Sequence, residues 1–198
     1  VLRAGLVAVP LNTAYTTSEL AYQVTDAVVA SVITDTDLAG SLTELFEEQV
    51  IVVGDGGTWE RMLAAATPTT AEQDAGSTGG EDIAILLYTS GTTGRPRGAM
   101  LSHRALLANL DQLVQIDPPV VNSDDKVLLV LPLFHVYGLN SGLGAVAYHG
   151  ACGVLVDRFD PAGTLDVIER SAVTTVVGVP PMFVAWSLMV DRLADALD

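Results

Sequence analysis

A layered α/β fold with a mostly parallel sheet is the fold class that the sequence predicts. Short apolar runs alternate with amphipathic stretches along the chain, which is the pattern of repeated strand and helix units. The chain has 198 residues, of which 49% are hydrophobic, and that is enough to bury a core. Apolar strands that alternate with helices indicate a sheet covered by helices on both faces.

Each element follows from a local pattern, taken here from the N-terminus. Strands are predicted in the apolar runs at 6–11, 31–34, 50–53, 83–88, 98–101, 126–131, 154–156 and 174–177. Helices are predicted over 17–27, 38–48, 59–63, 103–116, 136–149 and 161–170, and from 181 onward. A capping residue and an early acid at Thr17-Ser18-Glu19 open the first helix, and repeated glycines are expected to loosen the fifth. The inward-facing residues are predicted to be Leu20, Val24 and Ala27, then Leu42, Leu45 and Phe46, and then Leu106, Leu110 and Leu113.

The chain is predicted to have two α/β portions joined by a linker. Residues 1–66 form the first portion and residues 83–198 the second. The segment 67–82 between them is rich in Thr, Ala, Gly and Asp and lacks a hydrophobic period, so we expect a solvated linker.

The charge balance excludes several kinds of partner. The formal net charge is -15, which repels nucleic acid and anionic membrane surfaces, so an anionic substrate must be held by local donors. The span 127–156 carries no Asp, Glu, Lys or Arg, but Pro132, His135, Asn140, His149 and several glycines interrupt it. We therefore predict buried α/β elements there and no transmembrane segment.

The single cysteine, Cys152, cannot form an intramolecular disulfide, which favours a reducing compartment and a cytoplasmic location. It lies in a small, apolar run, so a buried, unreactive thiol is expected there and a nucleophile is not. No metal-binding residues are predicted.

The most informative stretch is the eleven-residue run from Tyr88 to Gly98, which directly follows an apolar strand. Its glycines allow a sharp turn that brings backbone N–H groups close to a ligand. Its hydroxyl and guanidinium groups add donors that suit a polyphosphate. The candidate ligand-binding residues are Thr89, Ser90, Gly91, Thr92, Thr93, Gly94, Arg95 and Arg97. The alternative is a polar loop that only connects two strands.

This run resembles the phosphate-loop signature of the adenylate-forming superfamily, usually [YF]-T-S-G-[ST]-T-G-x-P-K-G. That superfamily includes acyl-CoA synthetases, firefly-luciferase-like enzymes and the adenylation domains of peptide synthetases. The resemblance implies that the loop binds the β- and γ-phosphates of ATP, with Mg²⁺ bridging the phosphates. Arg97 stands where the family usually has lysine, and a planar guanidinium is not interchangeable with an ammonium group.

A second stretch, 131–139, resembles the superfamily's next core motif. The resemblance implies an acyl-substrate pocket formed by Phe134, His135, Tyr137 and Gly138. His135 is the candidate catalytic residue, as a hydrogen-bond donor to the carboxylate or adenylate in a partly dry pocket. It is not expected to be a general base, because a carboxylate is already ionised at neutral pH.

The same stretch, 131–139, also indicates which classes of substrate are favoured or disfavoured. Amino-acid-activating relatives usually carry an Asp beside this aromatic residue, and Phe134-His135 lacks it, so amino acids are disfavoured. The glycines at 138, 142 and 144 either open space for an acyl chain or allow close packing of a helix on the sheet, and the sequence leaves both open.

The resemblance implies part of the large N-terminal domain of an acyl-CoA ligase that uses ATP, Mg²⁺ and CoA to activate a carboxylic acid, with a fatty acid expected. An acyl-AMP ligase that loads a carrier protein, and a non-catalytic nucleotide-binding remnant, stay as alternatives. The family's later adenine, hinge and lysine elements are not found in these residues, so we expect the 198 residues alone to be inactive. A homodimer stays open.

Overall fold

The structure, a computed structural model, describes residues 1–46, 49–66, 79–89 and 95–189. The chain forms two compact units, Val1–His103 and Arg104–Asp198. The predicted linker at 67–82 lies mostly outside the described residues and stays a prediction.

The first unit alternates helices and short strands. In chain order its elements are a 3₁₀ turn at Leu2–Ala4, α1 at Thr17–Asp26, β1 at Val32–Thr34, α2 at Thr36–Phe46, β2 at Val50–Val52, α3 at Thr58–Ala65, β3 at Ile83–Thr89 and β4 at Arg97–Ser102. Strands β1 and β2 are parallel. Their core cluster consists of Leu20, Val24, Val32, Leu42 and Val50. Burial of each such side chain stabilises the unit by about 1.5–3 kcal/mol.

Helix α1 begins where the sequence predicts, and the reason is a capping box. Thr16 is the N-cap, and its side-chain oxygen accepts a hydrogen bond from the backbone N–H of Glu19. The Glu19 carboxylate in turn accepts from the backbone N–H of Thr16 at 2.8 Å. Hydrogen bonds from the side chain and the backbone of Thr16 hold the pKa of Glu19 below its ordinary value.

Strands β3 and β4 form an antiparallel pair, which is the exception to the parallel sheet. Only residues 90–96 separate them in the sequence, and so short a connection is possible only between antiparallel neighbours. Gly98 packs closely in this pair, because a Cβ atom there would lie 2.8 Å from Cδ1 of Leu86 and that side chain would have to shift.

Two predictions for the first unit are wrong. The expected buried strand at 6–11 is reduced to one parallel bridge, from Ala8 to Ile85, and Leu6 and Val7 are exposed. Pro10 has no N–H to extend the pairing. Leu45, expected inward on α2, is also exposed, because the buried stripe of that helix narrows to Leu42 with Phe46 partly buried beside it.

The second unit has a three-stranded parallel sheet in the order β6-β5-β7. In chain order its elements are α4 at His103–Val114, which begins at the border of the units, β5 at Lys126–Leu129, a π-helical segment at Tyr137–Gly144, α5 at Ala145–His149, β6 at Cys152–Leu155, α6 at Pro161–Ser171, β7 at Thr175–Val176 and α7 at Pro180–Ser187. The predicted helix loosened by glycines is therefore confirmed as π-helix followed by α-helix.

Strand β5 is covered on both faces, as predicted. Successive side chains of a strand point to opposite faces. Val127 and Leu129 contact one cluster, which includes Leu110 of α4 and Ala145 of α5. Residues 128 and 130 contact the other, which also contains Leu165, Ile168, Met182 and Trp186 of α6 and α7. The α/β fold class is thus confirmed.

The expectation of a buried thiol is wrong. Cys152 is exposed because it begins β6, which has β5 on one side only and is an edge strand of this sheet. In the described part of the chain, no helix has the length and apolar character needed to cross a membrane.

Candidate active site

The predicted phosphate loop connects the antiparallel strands β3 and β4 of the first unit. The register pairs Tyr88 with Gly98 and Thr89 with Arg97, so the chain reverses between these residues. Thr89, Arg95 and Arg97 are exposed on this hairpin, where their donors are available to an anionic ligand. The remaining predicted residues, Ser90, Gly91, Thr92, Thr93 and Gly94, lie outside the described residues.

Helix α1 contacts both ends of this turn. The hydroxyl of Tyr88 donates a hydrogen bond of 2.6 Å to Oδ2 of Asp26. The hydroxyl of Tyr22 donates one of 3.1 Å to the carbonyl oxygen of Pro96. The two tyrosine rings meet edge to face, with their centroids 6.5 Å apart. The turn therefore starts and ends at residues that one helix holds in place.

The buried position of Tyr88 and its acidic neighbour affect its titration. Desolvation raises the pKa of Tyr88 well above its ordinary value, and the hydrogen bond to Asp26 and that carboxylate's charge raise it further. Tyr88 therefore stays a neutral hydrogen-bond donor throughout the physiological pH range.

The predicted acyl segment belongs to the second unit and follows β5. The rings of Phe134 and His135 are 4.7 Å apart, with a tilt of 53°. The backbone N–H of His135 donates to the carbonyl of Pro132 at 3.2 Å, and its own carbonyl accepts from Leu139 at 2.9 Å. These bonds lead the chain from the strand into the π-helical segment.

The side chain of His135 differs from the expectation of a partly dry environment. His135 is exposed, and so is Tyr137, whereas Phe134 is partly buried. His135 is the last residue of a tight turn that begins at Pro132, and the π-helical segment begins two residues later. The Phe134 ring lies beside the imidazole, and the His135 side chain is otherwise open to solvent.

The glycines of this segment have different surroundings. A Cβ atom at Gly138 would lie 2.6 Å from the carbonyl oxygen of Pro132, so this glycine allows the π-helical segment to pack closely against the chain that follows β5. At Gly142 a Cβ would lie 3.2 Å from Cδ2 of Leu129, which is the tip of a movable side chain. Of the two explanations that the sequence leaves open, close packing accounts for Gly138.

A small apolar cleft adjoins these glycines. Its lining consists of Leu128, Leu129, Leu131, Gly138, Gly142 and Val177, which pack too closely to admit a water molecule. The cleft is therefore a narrow packing gap and offers no room for an acyl chain in this arrangement of side chains.

Sequence reasoning missed three polar residues that hold these segments. Asn140 is buried, and its amide donates to the carbonyl of Leu106 at 3.2 Å and to Oδ1 of Asn109 at 2.9 Å, which fixes the π-helical segment to α4. The only signal in the sequence is one amide in an apolar run. Tyr22 and Asp26 left no signal, because their partners lie 74 and 62 positions away.

The described residues contain no preformed cluster of metal-ligating side chains. Across residues 1–46, 49–66, 79–89 and 95–189, no group of three or more His, Cys, Asp or Glu side chains is arranged to hold a metal ion.

The layered α/β fold, with a glycine- and hydroxyl-rich segment between β3 and β4 and an aromatic-histidine segment after β5, matches the N-terminal domain of adenylate-forming enzymes. The chain belongs to the AMP-binding enzyme family, which it matches over residues 1–197.

Named relatives agree with this assignment. 4-Coumarate–CoA ligase 3 of Arabidopsis thaliana is 36% identical over 188 residues, which cover 91% of this chain and 34% of that protein. Feruloyl-CoA synthase of an Amycolatopsis species is 34% identical over 184 residues, covering 92% and 35% of the two chains. The chain thus spans about a third of the length of the curated relatives it matches.

Solved structures show the same fold. ATP-bound MatB from Rhodopseudomonas palustris superimposes with a TM-score of 0.80 at 34% sequence identity, covering 93% of this chain and 36% of that one. A benzoate CoA ligase from Burkholderia xenovorans gives a TM-score of 0.78 at 27% identity, covering 93% and 37%.

Proposed function

We propose that the protein activates a carboxylic acid with ATP to an acyl-adenylate and then transfers the acyl group to CoA. The observation that carries this proposal is the β3–β4 hairpin, whose register sets Thr89 opposite Arg97 at the ends of the Gly- and hydroxyl-rich turn. Family membership and the ligases among the relatives support it.

The proposed chemistry has two steps. One carboxylate oxygen bonds to the α-phosphorus of ATP, and pyrophosphate leaves with the electron pair of the broken P–O bond. The CoA thiolate then bonds to the acyl carbon, and AMP leaves. Both steps depend chiefly on positioning and on donors aimed at developing negative charge.

The residues have distinct proposed roles. The amides and hydroxyls of the turn, with Arg95 and Arg97, hold the β- and γ-phosphates, and a magnesium ion would offset the charge of the phosphates there. Phe134 and Tyr137 border the acyl group, and His135 donates a hydrogen bond to the carboxylate or adenylate oxygen. Because His135 is exposed by itself, this role requires the bound acid to cover it.

The class of carboxylic acid that serves as substrate is a separate part of the proposal. The sequence favours a fatty acid, whereas the names of the relatives, 4-coumarate–CoA ligase and feruloyl-CoA synthase, favour an arylpropenoic acid. We propose an arylpropenoic acid as the first substrate to test and a fatty acid as the second. Phe134-His135 supplies no anion for an ammonium group, so amino acids are expected to fail.

The test is acid-dependent exchange of labelled pyrophosphate into ATP by the longest natural polypeptide that contains these residues. We expect exchange with 4-coumarate or ferulate, less with fatty acids and none with amino acids. CoA and an acyl-carrier protein are then compared as acceptors, and CoA is expected to be the substrate. Nucleotide binding without exchange for any acid would identify a non-catalytic remnant and contradict the proposal.

A further inference from the structure

The turn proposed to bind ATP phosphates is attached at both ends to one face of α1. Tyr22 and Asp26 are four residues apart, so they are neighbours on the helix surface. Asp26 accepts a hydrogen bond from the hydroxyl of Tyr88 before the turn, and the hydroxyl of Tyr22 donates one to the carbonyl of Pro96 after it. A single rigid element therefore determines where the two ends lie.

The position of Asp26 is not explained by the stability of α1. It is the last residue of the helix, where the negative end of the helix dipole disfavours an acid, and the last turn carries no basic residue. Its short hydrogen bond from Tyr88 is charge-assisted, and hydrogen bonds of that class are the strong ones. Tyr88 is only 8% exposed, so the bond is partly shielded from water.

The chemistry of the turn explains why such attachment matters. Thr89 follows Tyr88 and Arg97 follows Pro96, and the two residues are paired in the register of β3 and β4. Fixing Tyr88 and Pro96 therefore fixes where the donors of Thr89 and Arg97 lie before a ligand arrives, and preorganised donors bind more tightly. Pro96 adds to this, because its ring already restricts its backbone.

We propose that Tyr22 and Asp26 are positioning residues that set the ends of the phosphate-binding turn and thereby determine the affinity for ATP. They act through Pro96 and Tyr88 and do not contact the nucleotide. The inference rests on the proposed function and names a further determinant of the same site.

The test measures KM for ATP and KM for the acid in pyrophosphate exchange by the longest polypeptide that contains the chain. Tyr22→Phe removes one oxygen atom, and Asp26→Ala removes the acceptor. Each is expected to raise the KM for ATP about five- to tenfold, the loss of roughly one hydrogen bond, while KM for the acid stays within about twofold. Asp26→Asn keeps an acceptor for Tyr88 and is expected to restore most of the affinity.

The matched control is Tyr148→Phe. The hydroxyl of Tyr148 also donates a hydrogen bond of 2.6 Å to an aspartate, Asp111, but this pair lies on the exposed surface of the second unit. Its loss is expected to leave both KM values unchanged. A cycle of Asp26→Ala with Tyr88→Phe should be non-additive for ATP, because both changes remove the same bond.

Two failures are distinguishable. If the wild-type protein exchanges pyrophosphate but Tyr22→Phe and Asp26→Ala leave KM for ATP unchanged, or raise both KM values together with a lower melting temperature, the positioning role is wrong. If the wild-type protein shows no exchange with any acid, the proposed function fails first, and this inference falls with it.

Discussion

The hydroxyl oxygen of Tyr88 lies 2.6 Å from Oδ2 of Asp26, across 62 positions of sequence. The bond joins the end of a buried strand to the end of the first helix. Both residues belong to the same unit, so the contact is a property of that unit's fold. It makes the titration of Tyr88 a probe of how the predicted phosphate turn is held.

The raised pKa of Tyr88 predicts a stability change at high pH. A pKa that is higher in the folded than in the unfolded state stabilises the fold fully below the unfolded value of about 10 and loses that contribution as the pH rises above it. The free energy of unfolding should therefore fall more steeply above pH 10 in the wild-type protein than in Tyr88→Phe. Urea unfolding at pH 8 and pH 11 measures the difference.

Asp26→Asn is the control for this titration. It removes the negative charge but keeps an acceptor, so the pKa of Tyr88 should move down towards its ordinary value. Identical pH profiles for the wild-type protein and Tyr88→Phe would show that Tyr88 is not shielded as the structure indicates.

The substitution of Arg97 tests the basic group of the hairpin. Arg97→Ala removes a charged donor and should lower kcat/KM for ATP by about ten- to a hundredfold, the usual effect of losing a hydrogen bond to a charged group. Arg97→Lys introduces the residue that the family usually has and should keep most of the activity. Equal activity in all three proteins would remove Arg97 from the site.

Alanine substitutions at two glycines should change the free energy of unfolding in opposite directions. Gly138→Ala brings a Cβ to 2.6 Å from a backbone oxygen that cannot move cheaply, so it should destabilise the protein by about 1–3 kcal/mol. Gly40→Ala, in the interior of α2, meets no atom within 4 Å and should stabilise it by about 0.5–1 kcal/mol. Urea unfolding of both variants measures the pair. An unchanged or higher stability for Gly138→Ala would contradict the close packing described.

Most of the fold could be predicted from local patterns, because strand and helix periodicity depend on neighbouring residues. The strand at 126–131 and the helix at 161–170 are examples, and the structure has β5 and α6 there. Burial was harder to predict. Cys152 has an apolar neighbourhood in sequence, but its exposure is decided by the edge position of β6, which depends on strand order.

The candidate site could be predicted in part. The run from Tyr88 to Gly98 was recognisable because its spacing is local and specific. The contacts of Tyr22 and Asp26 with that run depend on how a helix packs on a distant hairpin, and no pattern near either residue reveals it. The exposure of His135 likewise could not be predicted from the apolar residues around it in the sequence.

The proposal depends above all on residues 88–98 binding the triphosphate of ATP. Hydrogen–deuterium exchange of the longest natural polypeptide, with and without ATP and magnesium, tests this most directly. Peptides that cover residues 88–98 should exchange more slowly when ATP is present, and Arg97→Ala should reduce that protection. Exchange in 88–98 that ATP leaves unchanged, while another part of the protein becomes protected, would contradict the account.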